Sequence, residues 1–391
     1  MGEGVAQRER RAAPPGGTLR FIHRGRRTPW SVPGRLSSVQ DVIRTRRLLP
    51  LLVAVLGTTG ALLSAPAASA APVQRPTAVV ALGDSAASGD GAGDYVPGTR
   101  GEGGNWCHRS AHAYVHRTAL AAESVNLACS GAEAADVAFG AGTHYTEASQ
   151  AQRLVAVARE YRVTVVVLQI GANDEAELTG TGIACIRAFL DPRVPPCRDT
   201  IGPLVPQRMA AVAPRVEAAV GDVREAMRRA GYADDDYAFV LASYASPVSE
   251  QMVPFAPARG CPYSRADAQW GRTVLFPALS DALRGVAERT GVRFLDLDRA
   301  TEGYEACSHD LWTEEWQRRI TVDPEAFVYG GLDAVGYHLA QESFHPTAAG
   351  HAEMGRCLGE FVRTNEPAGA CVVGADGSLG VQGATPAPSP A

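Results

Sequence analysis

Five short runs of apolar, mostly β-branched residues punctuate the chain beyond residue 70, and they restrict its fold more than any other feature. They are Thr77–Gly83, Val125–Cys129, Val163–Ile170, Tyr237–Ser243 and Val292–Leu297. Longer stretches with helical periodicity separate them, notably Ala148–Tyr161, Gln207–Ala230, Arg265–Thr290 and Thr347–Arg363. A strand that is apolar at nearly every position must be covered on both faces. Strands alternating with helices therefore predict a mostly parallel, five-stranded sheet in a three-layer α/β/α domain. Two segments stand outside the alternation. Cys185 to Pro206 is rich in Pro and Cys and reads as a stapled loop. Cys307 to Gln341 carries Trp312, Trp316, Phe327, Tyr329 and Tyr337. Trp312 and Trp316 suit either a lid or acyl-binding wall, or the packed face of an amphipathic helix, and packing is the expectation.

Residues 1–70 differ from the rest in charge. They hold 11 Arg against 3 acids, leaving 26 Arg against 39 acids afterwards, a formal balance of −13. An acidic surface of that size repels phosphate backbones, so nucleic acid is not an expected partner. Arg44, Arg46 and Arg47 precede an apolar run from Leu48 to Leu63, and small residues follow, ending Ala68-Ser69-Ala70. That order is the signature of a secretory signal peptide cut after Ala70, by either the general or the twin-arginine route. Gly57, Thr58, Thr59 and Gly60 interrupt the run, which disfavours a membrane anchor. The expected organisation is an extension with signal peptide over 1–70, one folded domain over 71–371, and a disordered Gly/Ala/Pro tail over 372–391. The protein is expected to be secreted and monomeric.

All eight cysteines fall after Ala70: Cys107, Cys129, Cys185, Cys197, Cys261, Cys307, Cys357 and Cys371. An even number in an exported domain reads as disulfides, and the absence of any CxxC spacing argues against zinc. Eight cysteines allow 105 pairings. Nearest neighbours in order are favoured because each pair then brackets one loop. His108, His112 and His116 recur every fourth residue and could share a helix face, but no acidic cluster matches them. Asp90-Gly91-Ala92-Gly93-Asp94 lacks the rest of a calcium loop and reads as a flexible turn. No metal or other cofactor is expected.

In an open parallel sheet the ligand crevice lies beyond the carboxyl ends of the strands. The first strand ends in Gly83-Asp84-Ser85, the second in Cys129-Ser130-Gly131, and the third in Gly171-Ala172-Asn173-Asp174. Glu342-Ser343-Phe344-His345-Pro346 stands just before the last helix, where Pro346 suits the first helical position. Each piece alone is weak, because isolated Ser, Gly and Asn are commonly caps and turns. Their order and spacing carry the signal.

With these four blocks the sequence resembles the SGNH hydrolases, the GDSL-type esterases and lipases, from about Ala78 to Val362. Secreted actinomycete members offer similar cysteine spacings. The resemblance implies Ser85 as nucleophile and His345 as general base and acid. It also implies an oxyanion hole from the Ser85 and Gly131 backbone N–H groups and the Asn173 side chain. Ala86 stands where the family usually has Leu, and Glu342 where it usually has Asp. The group that orients His345 is then either the Glu342 carboxylate or the Ser343 carbonyl. The expected chemistry is hydrolysis of a carboxylic ester of a small molecule, a lipid or an acylated carbohydrate, with transient contact at a lipid interface. Polysaccharide O-deacetylation and non-catalytic cell-surface binding are the competing readings. The G-x-S-x-G elbow of other serine hydrolases is absent from the sequence.

Overall fold

A computed structural model describes residues 74–383 apart from residue 141. The signal peptide, its cleavage point and residues 384–391 lie outside the described residues.

Strands form at all five expected places, as β1 (Thr77–Gly83), β2 (Glu123–Asn126), β3 (Arg162–Gln169), β4 (Ala238–Ala242) and β5 (Arg293–Asp296), although β2 ends at Asn126 rather than at the expected Cys129. Two more extend the sheet, β6 (Ala368–Val373) and β7 (Leu379–Gln382). The order is β2-β1-β3-β4-β5-β6-β7, parallel throughout except for the antiparallel β6–β7 pair. The sheet is thus seven-stranded rather than five-stranded, and residues 372–383 belong to its edge instead of a disordered tail. Pairing explains the difference. A short strand with a Gly-rich hairpin lacks a strong apolar run, yet β6 gains a parallel partner in β5, and Cys357–Cys371 ties it to the last helix.

Burial follows the two-residue period of a strand. In β1, Val80 and Leu82 face one core while Val79 and Ala81 face the other, all at most 1% exposed. Helices cover both faces: α1 (Ser85–Ser88), α2 (Ala134–Val137), α3 (Gln150–Glu160), α4 (Leu178–Leu190), α5 (Cys197–Ile201), α6 (Val205–Arg229), α7 (Arg265–Trp270), α8 (Phe276–Thr290), α9 (Ala326–Gly330) and α10 (Ala348–Arg363). On one face α6 lays Met209, Val212, Val216, Val220, Val223 and Met227 at helical spacing against the sheet, and Leu279 and Leu283 of α8 join them. On the other face α10 contributes Met354, Leu358 and Phe361. The three layers stand as expected. Residues 185–206 do not form a plain loop, since they carry the end of α4 and all of α5.

The four disulfides join Cys107–Cys129, Cys185–Cys197, Cys261–Cys307 and Cys357–Cys371, the nearest-neighbour order. No cysteine is left free among the described residues.

The strand order reverses between β1 and β3, with β2 on one side of β1 and the later strands beyond β3. Such a switch point opens a crevice at the carboxyl ends of the two strands that flank it. Ser85 and Gly171 each stand just past those two ends, with Asp84 and Ile170 between.

Candidate active site

The turn that carries Ser85 is built by backbone constraints. Gly83 ends β1 at φ +142°, and a Cβ there would run into the carbonyl oxygen of Gln169, so only glycine fits. Gln150, buried on α3, clamps both backbone groups of Gly83, accepting from its N–H at 2.7 Å and donating to its carbonyl at 2.8 Å. Asp84 then caps α1, its Oδ1 accepting from the Ala86 N–H at 3.1 Å. Burial pushes the Asp84 carboxyl up to about 7, against the lowering effect of the Tyr244 hydroxyl that donates to it. Ser85 opens the helix with its N–H at the N-terminus, where backbone amides lack helical acceptors.

His345 reaches this serine from 260 residues away. Its Nε2 lies 2.6 Å from Ser85 Oγ, within hydrogen-bond distance. The loop carrying His345 is pinned by the Arg318 N–H, which donates to the His345 carbonyl at 2.8 Å, and by Thr347, which caps α10 by accepting from the Gly350 N–H at 3.2 Å.

Gly131 follows Ser130 at φ +76°, a conformation glycine adopts freely. Neither its N–H nor that of Ser85 donates to a protein acceptor among the described residues. Asn173 sits on the β3 loop with its Nδ2 donating to the Ala132 carbonyl at 3.0 Å, so it spans from one loop to the other. An amide nitrogen has two hydrogens, and this bond uses one. Asp174 beside it accepts from the Ala134 N–H at 3.0 Å and opens α2. Its carboxyl is pushed up to about 6, chiefly by burial.

The structure does not bear out Glu342 as the expected third member of the site, the group that orients His345. Glu342 does not hydrogen-bond His345. Its Oε1 accepts from the Tyr95 hydroxyl at 2.7 Å, and its Oε2 lies 3.6 Å from an Arg318 guanidinium nitrogen. The Ser343 carbonyl does not take its place either. His345 Nδ1 is buried with no hydrogen-bond partner among the described residues. The carboxylate is instead taken up by a cation and a phenol.

Other residues around the crevice escaped the sequence reading. Asp90 stands in a turn, as expected, but is wholly buried there and binds His108, Ser130 and Gln341. His108, His112 and His116 do not share a helix face. His108 is buried against Tyr95 with ring centroids 4.4 Å apart, and His116 lies in a 3₁₀ turn beside Ser124. Among the described residues no group of three or more His, Cys, Asp or Glu could hold a metal ion. His351 on α10 is buried and held neutral, pushed down to about 3 first by burial and then by the charge of His345. Its Nδ1 accepts from the Tyr114 N–H at 3.2 Å, so it does not compete as a base. Trp316 packs on Tyr304 with centroids 4.1 Å apart, but from outside any helix rather than from the expected helix face. Trp312 is 61% exposed on a 3₁₀ turn, and neither tryptophan lines the crevice.

A cavity of about 590 Å³ opens beside the pair. Ser85, Asn173 and His345 stand in its wall. The rest of its lining is dominated by apolar groups, among them Ile186, Val248, Leu275, Phe276 and Phe344. A hydroxyl–imidazole pair at the wall of an apolar chamber is what acyl transfer from an ester requires.

Known proteins show the following likenesses. The sequence pattern of the GDSL-like Lipase/Acylhydrolase family matches residues 81–353. Lipase 2 of Streptomyces coelicolor is 29% identical over 269 residues, which is 67% of this chain and 84% of that protein. The crystal structure of phospholipase A1 from Streptomyces albidoflavus NA297 superposes with a TM-score of 0.46 at 22% identity, over 70% of this chain and 94% of the other. An extracellular lipase from Streptomyces rimosus gives 0.43 at 21% identity, over 71% and 95%. The family match spans well over half the sequence and contains Ser85, Gly131, Asn173 and His345. The chain therefore belongs to the GDSL-like Lipase/Acylhydrolase family and is a carboxylic ester hydrolase.

Proposed function

We propose that the protein is an exported lipase-type esterase that works through an acyl-enzyme on Ser85, with a Ser85–His345 dyad as its chemical core. The observation that carries the reading is the 2.6 Å contact between Ser85 Oγ and His345 Nε2 at the wall of an apolar cavity. A serine hydroxyl attacks well only when a base takes its proton as the bond forms, and a neutral imidazole suits that near pH 7. His345 takes that proton and returns it to the leaving alcohol. Water then repeats the cycle on the acyl-enzyme. Charge on the carbonyl oxygen is met by the Ser85 and Gly131 N–H groups and the Asn173 amide.

The cavity supports an acyl chain rather than an acetyl group as the part of the substrate bound there. An acetyl group fills little of about 590 Å³. Ile183 of α4 and Tyr337 both line the cavity while 60% and 43% of their surfaces face solvent. Leu190 and Val335 lie exposed on the same two segments. This apolar rim supports transient contact with a lipid interface from which a chain enters. Four disulfides support an oxidising destination, in line with an export signal over residues 44–70.

The test is a series of p-nitrophenyl esters of rising acyl length, run on the wild type and on Ser85→Ala. Each methylene buried contributes ~0.8 kcal/mol, so kcat/KM should climb about fourfold per CH₂ until the chamber is full. A maximum at acetyl, with longer chains rejected, would instead identify an O-deacetylase. No turnover at any length would favour the binding module.

A further inference from the structure

His345 lacks the carboxylate that normally answers an imidazolium, yet a buried carboxylate stands close by. Asp90 is 0% exposed and lies five residues past the nucleophile. Its N–H donates to the Ser85 carbonyl at 3.2 Å. Its Oδ2 accepts from the Ser130 hydroxyl at 2.7 Å and from Gln341 Nε2 at 3.0 Å, while Oδ1 accepts from His108 Nδ1 at 3.1 Å. One side chain thus joins three segments: the turn after Ser85, the loop that presents Gly131, and the loop that leads to His345. The turn also abuts the histidine itself. A Cβ on Gly91 would stand 2.9 Å from His345 Cβ and 3.0 Å from the Pro346 carbonyl oxygen.

We propose that Asp90 is a positioning residue of this active site, which locks the oxyanion loop and the histidine loop to the nucleophile turn and supplies the buried negative charge that steadies the His345 imidazolium without touching it. The inference rests on the Ser85–His345 reading above. The other groups facing His345 cannot fill this role. Glu342 is answered by the Arg318 guanidinium and the Tyr95 hydroxyl, and His351 is held neutral by burial. His108 turns Nδ1 to Asp90 and leaves Nε2 buried without a partner, which suits the tautomer protonated at Nδ1. Burial drives the Asp90 carboxyl upward, but His108, then His345 and the Ser130 hydroxyl, outweigh it and hold the group down at about 2. It is therefore ionised wherever the enzyme works, and a charge out of reach of water acts over a longer range than one at the surface.

The sign of the effect can be tested. A nearby negative charge favours the imidazolium, and acylation needs the neutral ring. Removing the charge with Asp90→Asn should shift the acid limb of the kcat/KM–pH profile down by about half to one pH unit. The plateau should fall about tenfold to a hundredfold, because the imidazolium of the transition state loses its support. Ser130→Ala removes one hydrogen bond but no charge, so it should lower the plateau about threefold and leave the limb in place. A plateau loss in Asp90→Asn with an unmoved limb would reduce Asp90 to scaffolding and overturn the electrostatic role. Should Asp90→Asn fail to fold, Gln341→Leu tests the positioning role alone: slower acylation with an unmoved limb supports that role, and wild-type rates overturn it. Fluorophosphonate labelling of wild-type Ser85 keeps the two readings apart. Without labelling the dyad itself is wrong, whereas a labelled wild type with a wild-type-like Asp90→Asn profile condemns only the role of Asp90.

Discussion

Ser85→Ala leaves the protein folded and lowers ester hydrolysis by at least about 10⁴-fold, and His345→Ala does nearly the same. The expectation follows from the division of labour in the dyad. Without the hydroxyl there is nothing to acylate; without the imidazole, the hydroxyl must shed its proton to water. The two losses should not add, because each residue acts only through the other, and the double variant should sit within a few-fold of either single one. Folding should survive. The serine side chain takes no part in capping α1, which is the work of Asp84, and alanine suits the first turn of a helix. The checks are kcat/KM on a p-nitrophenyl ester together with a thermal melt. A Ser85→Ala variant that keeps a tenth of the activity would remove the nucleophile from the account.

Asn173→Ala carries the second largest effect, a fall of about 10²- to 10³-fold in kcat with little change in KM. The amide meets charge that exists only once the carbonyl has been attacked, so its loss is felt in the transition state and hardly at all in binding. Its bond to the Ala132 carbonyl aims it before substrate arrives, and a pre-aimed donor need not reorganise during reaction. Steady-state kinetics separate the outcomes. A rise in KM at constant kcat would show that Asn173 only binds substrate or braces the Ala132 loop.

These expectations were largely legible in the sequence because strand ends and chemistry coincide. Val163 to Ile170 is so apolar that it must be a central strand, and Gly171-Ala172-Asn173 then falls at the crevice by necessity. The same holds for Gly83-Asp84-Ser85. The sheet's far edge was harder to see. Residues 372–383 are small and flexible in composition, and only pairing with β5 and the Cys357–Cys371 link make them strands. The third member was misread because position in sequence cannot tell where a long carboxylate points. Glu342 turns to Arg318 and Tyr95, which are near it only in the folded chain. Asp90 was misread for the same reason. Between two glycines it has the composition of a turn, and its burial depends on His108, Ser130 and Gln341 arriving from three other places. Gln150, which clamps Gly83, gave no local signal at all beyond an ordinary helix residue.

The central claim, that Ser85 becomes covalently acylated with the help of His345, is met most directly by a fluorophosphonate probe read out by peptide mass spectrometry. The account predicts one adduct, on the Ser85 peptide, formed rapidly in the wild type and slowed at least about a hundredfold in His345→Ala. An adduct on another serine, or ester hydrolysis that continues while Ser85 stays unmodified, would contradict it.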